Sequence, residues 1–159
     1  MEYIIDDAIG ADYLAVAALD RIAWPDEPET FIPDGEHIWR VWADHAVVLV
    51  ARLNADVPEY PETGRIVGAV GMFPTQGGEI FLHKIMVHPQ ARGQGIGSAL
   101  MREALSRSDV PVLLTVDPNN RAAVTLYENF GFRIRERIDG YYRPHEDRNI
   151  MVHPGGRTP

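Results

Sequence analysis

Apolar and polar positions alternate in two rhythms along this chain, and the rhythm changes at prolines and glycines. A first strand is predicted near residues 3–5, and from Asp12 the positions Leu14, Ala17, Ala18, Ile22 and Ala23 recur at helical spacing. That helix should end at Trp24-Pro25, because proline disfavours helix in the residue before it. After a loop to Gly35, residues 37–43 carry Ile38, Trp39, Val41 and Trp42 and predict a short second helix. Residues 45–53 and 65–73 are β-branched runs joined by a connection rich in proline and acid, which predicts an antiparallel pair. Thr75-Gln76-Gly77-Gly78 is a turn, and residues 79–87 form the next strand. A glycine-rich turn then opens a helix to about Arg107, with Ile96, Leu100, Met101, Ala104 and Leu105 on one stripe. A buried strand over 110–116 follows, and strand, helix, strand in this order implies a right-handed parallel crossover. Asp117-Pro118-Asn119 is expected to cap a helix over 120–129 that stops at Gly131. Two last strands, near 132–138 and 149–152, flank residues 139–147. The pattern predicts an α/β fold with a mixed, largely antiparallel sheet, a central parallel βαβ unit and helices on both faces.

Length and composition narrow the class. The 159 residues suit one domain, 1–159, with a proper core, and the 45% apolar and 24% charged fractions are those of a globular protein. No apolar run approaches the ~18 residues of a spanning helix, and Met1-Glu2-Tyr3-Ile4-Ile5-Asp6-Asp7 lacks the basic region of a signal peptide, so a cytoplasmic protein away from membranes is expected. With no cysteine there is no disulfide, thiol nucleophile or thiolate metal site. The six histidines show neither His-x-His nor His-Glu-x-x-His spacing, so no metal is expected. A net charge of −8 argues against nucleic acid and is compatible with an amine or cationic substrate. Part of that charge is the acidic stretch Asp26, Glu27, Glu29, Asp34 and Glu36, expected as a solvated loop, with a wall that attracts an amine as the alternative.

The chemistry concentrates in Val87-His88-Pro89-Gln90-Ala91-Arg92-Gly93-Gln94-Gly95-Ile96-Gly97-Ser98. Glycines let the backbone take positive φ and let a ligand oxygen approach the amides, and the following helix points its unpaired first-turn N–H groups and positive dipole end at the same place. A pyrophosphate fits there, with Arg92 adding charge and a donor fork. A P-loop is excluded, because it needs Gly-Lys-Ser/Thr and the one lysine, Lys84, lies upstream. A dinucleotide fingerprint is weakened, because its sixth position from Gly93 is Ser98.

Arg92-Gly93-Gln94-Gly95-Ile96-Gly97 resembles the acetyl-CoA loop, Arg/Gln-x-x-Gly-x-Gly/Ala, of the GNAT superfamily of N-acetyltransferases. Asn120-Arg121-Ala122-Ala123-Val124-Thr125-Leu126-Tyr127-Glu128-Asn129-Phe130-Gly131-Phe132 is similar to a second segment of that family, and the resemblance covers about residues 64–152. It implies an enzyme that moves an acetyl group from the cosubstrate acetyl-CoA to a primary amine by direct attack, the amine belonging to a small molecule or a protein N-terminus. The cofactor-binding residues it implies are the backbone of Ile85, Met86 and Val87, the turn Arg92, Gly93, Gln94, Gly95, Ile96, Gly97 and Ser98, and also Asn120 and Tyr127. Tyr127 is the implied general acid, its hydroxyl directed at the cofactor sulfur.

The base is expected to be His83 or Glu79, the alternative being neither, since an amine that arrives partly neutral needs only solvent. His83 occupies the place where many relatives carry a glutamate, and strand alternation puts it on the face of Ile85 and Val87; Glu79 lies two pleats earlier and would act through a water. Residues 140–151 look like a hairpin of the ribosomal-protein N-terminal acetyltransferase branch, which implies that Tyr141 and Tyr142 wall the substrate site. Thr115 departs from that branch, which places a glutamate or histidine base there. A non-catalytic acyl-CoA sensor of the same fold is the alternative, and the apolar edges of the last strands leave room for a homodimer.

Overall fold

The computed structural model describes residues 1–24 and 31–156. Asp26, Glu27 and Glu29 of the acidic stretch, and Pro25, lie outside the described residues. The elements in chain order are β1 (Tyr3–Asp7), α1 (Asp12–Ile22), α2 (Glu36–His45), β2 (Val47–Leu53), β3 (Ile66–Pro74), β4 (Ile80–Val87), a 3-10 turn (Pro89–Ala91), α3 (Ile96–Ser106), β5 (Val112–Val116), α4 (Arg121–Asn129), β6 (Arg133–Ile138) and β7 (Arg148–His153). The seven strands form one mixed sheet in the order β1-β2-β3-β4-β5-β7-β6, the α/β architecture expected from the pattern. By their contacts the residues group into two compact units, Met1–Phe73 with His83–Ala104 and Pro74–Leu82 with Leu105–Pro159.

In the first unit, β1, β2 and β3 form an antiparallel meander, with Tyr3 opposite Leu53 and Val48 opposite Gly71. Val16, Leu19 and Ala23 stand at helical spacing on the inner side of α1 and its C-cap, and pack with Trp39 of α2, Val48 and Val50 of β2 and Met86 of β4. Along β3 every residue from Ile66 to Met72 is buried, as expected for a strand covered on both faces. Burial alternates along β4: Leu82, Lys84 and Met86 are buried, whereas His83, Ile85 and Val87 are half-open on the face predicted for them.

Packing of α3 on β3 demands glycine at Gly68. A Cβ there would stand 2.8 Å from Ile96 Cγ2, 3.0 Å from Leu100 Cδ1 and 3.2 Å from the Met86 carbonyl oxygen. Gly68→Ala is therefore expected to destabilise the protein, because overpacking costs about 1–3 kcal/mol and exceeds the about 0.4–1 kcal/mol gained from a less flexible unfolded chain. Chemical denaturation checks this, and an unchanged midpoint would show that Ile96 and Leu100 yield freely.

In the second unit, β5 pairs in parallel with the start of β4, Ile80 with Val112 and Phe81 with Leu113, so the predicted βαβ connection is present. On its other side β5 pairs antiparallel with β7, and β6 returns outside β7 with a register irregularity between Ile134 and Glu136. The chain order of the last strands is thus reversed in space. Two local expectations are corrected. Asn120 caps α4, its side chain accepting from the Ala123 amide, whereas Asp117 closes a turn on the Asn119 amide one step earlier. A 3-10 turn missed by the periodicity separates β4 from the glycine turn, held by His88 Nδ1 accepting from the Gln90 amide at 3.2 Å.

Candidate active site

The glycine turn lies in the first unit. Gly93 and Gly95 take φ of +80° and +77°, which an L side chain adopts only with strain, and a Cβ on either would enter open space rather than protein. Residues 92–95 are exposed. The first helical bond runs from the Ala99 amide to the Gly95 oxygen, so the amides of Ile96, Gly97 and Ser98 precede the ladder of α3. Open space over positive-φ glycines at a helix N-terminus suits a phosphate group, and a side chain at Gly93 or Gly95 would fill it. Arg92 is more constrained than the sequence implied, because one guanidinium nitrogen donates to the Ala23 carbonyl at the end of α1. The guanidinium carries five N–H donors, so this bond orients the group without exhausting it.

On the half-open face of β4, His83 Nε2 lies 2.7 Å from Asp34 Oδ2. The ring is framed by Trp42 at 5.1 Å and Phe73 at 5.9 Å between centroids, and Trp42 stacks on Phe73. Asp34 Oδ2 also meets Lys84 Nζ at 2.9 Å. Lys84 points to the opposite, buried side of the strand and donates to both carboxylate oxygens of Asp20, at 2.9 and 3.0 Å, and to the Ile32 carbonyl at 2.8 Å. Asp20, 1% exposed, further accepts from the Asp34 amide and from the indole N–H groups of Trp24 and Trp39. Sequence reasoning missed this cluster: Lys84 served only to exclude a P-loop, and Asp20 carried no signal beyond an acid within an apolar helix.

Partial burial would raise the Asp34 pKa, but hydrogen bonds from His83 and Lys84 and their charge outweigh it, so the carboxyl sits below its ordinary value. A depressed carboxyl contributes stability above its unfolded pKa and loses it as pH falls through the folded one. The tie between the 31–34 segment and β4 is therefore present at neutral pH and released by acid.

The remaining candidates lie in the second unit. Tyr127, on α4, is half-buried and meets Phe132 edge to face at 5.9 Å. Burial raises its phenol pKa, which keeps the hydroxyl protonated. Asn120 has the capping role already described. Glu79 is paired with Arg135 at 3.2 Å. Tyr141 and Tyr142 are exposed and meet edge to face at 4.8 Å; the Tyr142 hydroxyl lies 3.0 Å from Thr115 Oγ1, and the Arg148 guanidinium stands over its ring. Tyr142 is thereby tied to Thr115 near the end of β5. Among the described residues, no group of three His, Cys, Asp or Glu side chains could hold a metal, and no helix is long and apolar enough to cross a membrane.

A mixed α/β sheet with an open, positive-φ glycine turn at a helix N-terminus is an arrangement suited to a phosphate-bearing ligand. Residues 16–132 match the acetyltransferase (GNAT) family, and the chain belongs to it. It is 34% identical over 145 residues to the mycothiol acetyltransferase of Thermobispora bispora, covering 84% of this chain and 47% of that protein. An uncharacterized N-acetyltransferase of Methanocaldococcus jannaschii is 36% identical over 66 residues, covering 39% of this chain and 29% of that one. The chain thus spans about half the length, or less, of these relatives. Among solved structures, the ribosomal-protein-S18-alanine N-acetyltransferase of Escherichia coli has a TM-score of 0.76 at 21% identity, covering 99% and 97% of the two chains. Arabidopsis thaliana NAA60 in complex with acetyl-CoA gives 0.75 at 18%, covering 96% and 98%. At these identities the likeness is one of fold.

Proposed function

We propose that this chain is a single N-acetyltransferase domain, cytoplasmic, that moves an acetyl group from acetyl-CoA to a primary amine on a small molecule or a protein N-terminus. The observation that carries this reading is the exposed turn at Gly93 and Gly95 with positive φ, opening α3. Acetyl-CoA, when bound, supplies the activated acetyl group. The amides of the turn from Gly93 to Ser98, with Arg92, hold its pyrophosphate, and the main chain of Ile85, Met86 and Val87 aligns the pantetheine arm and the thioester carbonyl. Asn120 adds a side-chain amide donor beyond its cap.

His83 takes the proton that the amine must lose, and Tyr127 gives one to the leaving sulfur. His83 is preferred to Glu79 because it stands on the half-open face of β4 with Ile85 and Val87, within the strand segment read as aligning the thioester. The absence of cysteine supports direct attack. Tyr141 and Tyr142 wall the amine's side, and likeness to a mycothiol acetyltransferase keeps the acceptor of that enzyme among the substrates to test.

The test is a thermal shift with acetyl-CoA, CoA and NAD(H), followed by thiol release with pooled amines. A shift with CoA species and release in one pool is expected. Gly95→Val should abolish the shift, since a β-branched residue at positive φ is strained and its side chain enters the phosphate space. A shift without release would favour an acyl-CoA sensor, and a shift with NAD(H) alone would sink the cofactor assignment.

A further inference from the structure

We infer that His88 is a positioning residue for the cosubstrate: its imidazole, braced by Tyr60, fixes the 3-10 turn that aims Arg92 and the glycine amides at a pyrophosphate. The inference rests on the reading of residues 92–98 as the acetyl-CoA turn and extends it to two residues outside that motif.

Pro89 has no N–H to offer, so the shape of residues 89–91 depends on the amides of Gln90 and Ala91. His88 accepts from both. Its Nδ1 takes the Gln90 amide at 3.2 Å, and its carbonyl takes the Ala91 amide at 2.8 Å. The His88 amide in turn donates to the Val67 carbonyl at 2.8 Å, which ties the turn to β3. Ala91 is fully buried, and the next residue, Arg92, is extended and donates to the Ala23 carbonyl. The direction in which Arg92 and Gly93 leave the strand is thus set at His88, and a turn set before the ligand arrives spares the cost of ordering it on binding.

The ring is itself held and kept in one form. His88 is 5% exposed, and the Tyr60 ring lies against it with centroids 4.3 Å apart. Tyr60 reaches it because residues 60–64 close a loop on two backbone bonds between Tyr60 and Gly64, at 2.7 and 2.8 Å. An Nδ1 that accepts from an amide carries no proton, so the proton of the neutral ring sits on Nε2. Burial lowers the imidazole pKa, Glu62 opposes this and Arg92 assists it, which leaves the ring below its ordinary value of 6.5 and Nδ1 able to accept at neutral pH.

Two substitutions in the full chain separate the acceptor from the packing. His88→Asn lacks the ring, yet its carboxamide oxygen accepts from the amide two residues on, as asparagine does in turns. His88→Phe keeps a ring against Tyr60 and has no acceptor. Calorimetric titration with CoA is expected to give a Kd raised by about fivefold or more in His88→Phe, the usual worth of a capping acceptor expressed as affinity, and by less than about twofold in His88→Asn. Should His88→Phe not fold, as a urea melt would show, His88→Leu takes its place with the same expected loss. The reverse order, weak binding in His88→Asn and wild-type binding without the acceptor, would mean that His88 only fills space, overturning the inference while sparing the cosubstrate turn. Equal affinity in the two variants, whether tight or weak, overturns it in the same way. A wild-type chain that does not bind CoA would overturn both the inference and the cosubstrate reading.

Discussion

Tyr127→Phe is expected to lower kcat by about 100-fold or more, the usual contribution of a positioned general acid, while acetyl-CoA affinity changes by less than about threefold. The substitution removes one oxygen and keeps the ring that packs edge to face on Phe132, so stability should stay within about 0.5 kcal/mol. The sign of the pH dependence follows from burial. Desolvation disfavours phenolate, so the pKa lies above its ordinary value of 10.0 and the hydroxyl remains a donor through the neutral and mildly alkaline range. Wild-type turnover should therefore lose its acid only in strong alkali. Single-turnover kinetics of the two proteins, read beside acetyl-CoA titrations, decide the matter: equal loss of affinity and rate would assign Tyr127 to binding, and no loss of rate would remove it from the chemistry.

The second large effect is expected in stability. Lys84→Met leaves Asp20 buried without its cation, and breaking a buried ion pair from one side costs about 3–5 kcal/mol. The Asp34 amide and the Trp24 and Trp39 indoles still donate to Asp20, so the loss should fall toward the lower end of that range. Lys84→Met with Asp20→Asn should recover much of it, because the stranded charge is gone while the carboxamide oxygen still accepts. Urea unfolding of the four proteins gives the coupling directly. A Lys84→Met protein as stable as wild type would show that the hydrogen bonds alone satisfy Asp20, and that Lys84 does not anchor the 31–34 segment.

The candidate site was legible where its logic is local. Gly93 and Gly95 stand out because positive φ is a property of single residues, and α4 because its helical period and its end at Gly131 are local, although its cap was expected at 117–119 and falls on Asn120. Side-chain pairing was not legible in this way. Glu79 and Arg135 are 56 residues apart, and nothing in either neighbourhood predicts their contact; the same holds for Thr115 and Tyr142. Asp34 was counted within a solvated acidic loop, since a carboxylate's charge is the same in sequence whether water or a lysine faces it.

The sequence by itself determined the order of strands and helices, the glycine turn at the head of α3, the alternation that opens His83, Ile85 and Val87 to one face of β4, and the family, because each depends on residues near one another in the chain. Tertiary structure alone decided that β7 enters between β5 and β6, and that Asp20, Asp34, His83 and Lys84 share one hydrogen-bonded cluster. Those outcomes depend on which distant segments the core brings together. Buried polar groups then take the partners left within reach, a choice that periodicity does not encode.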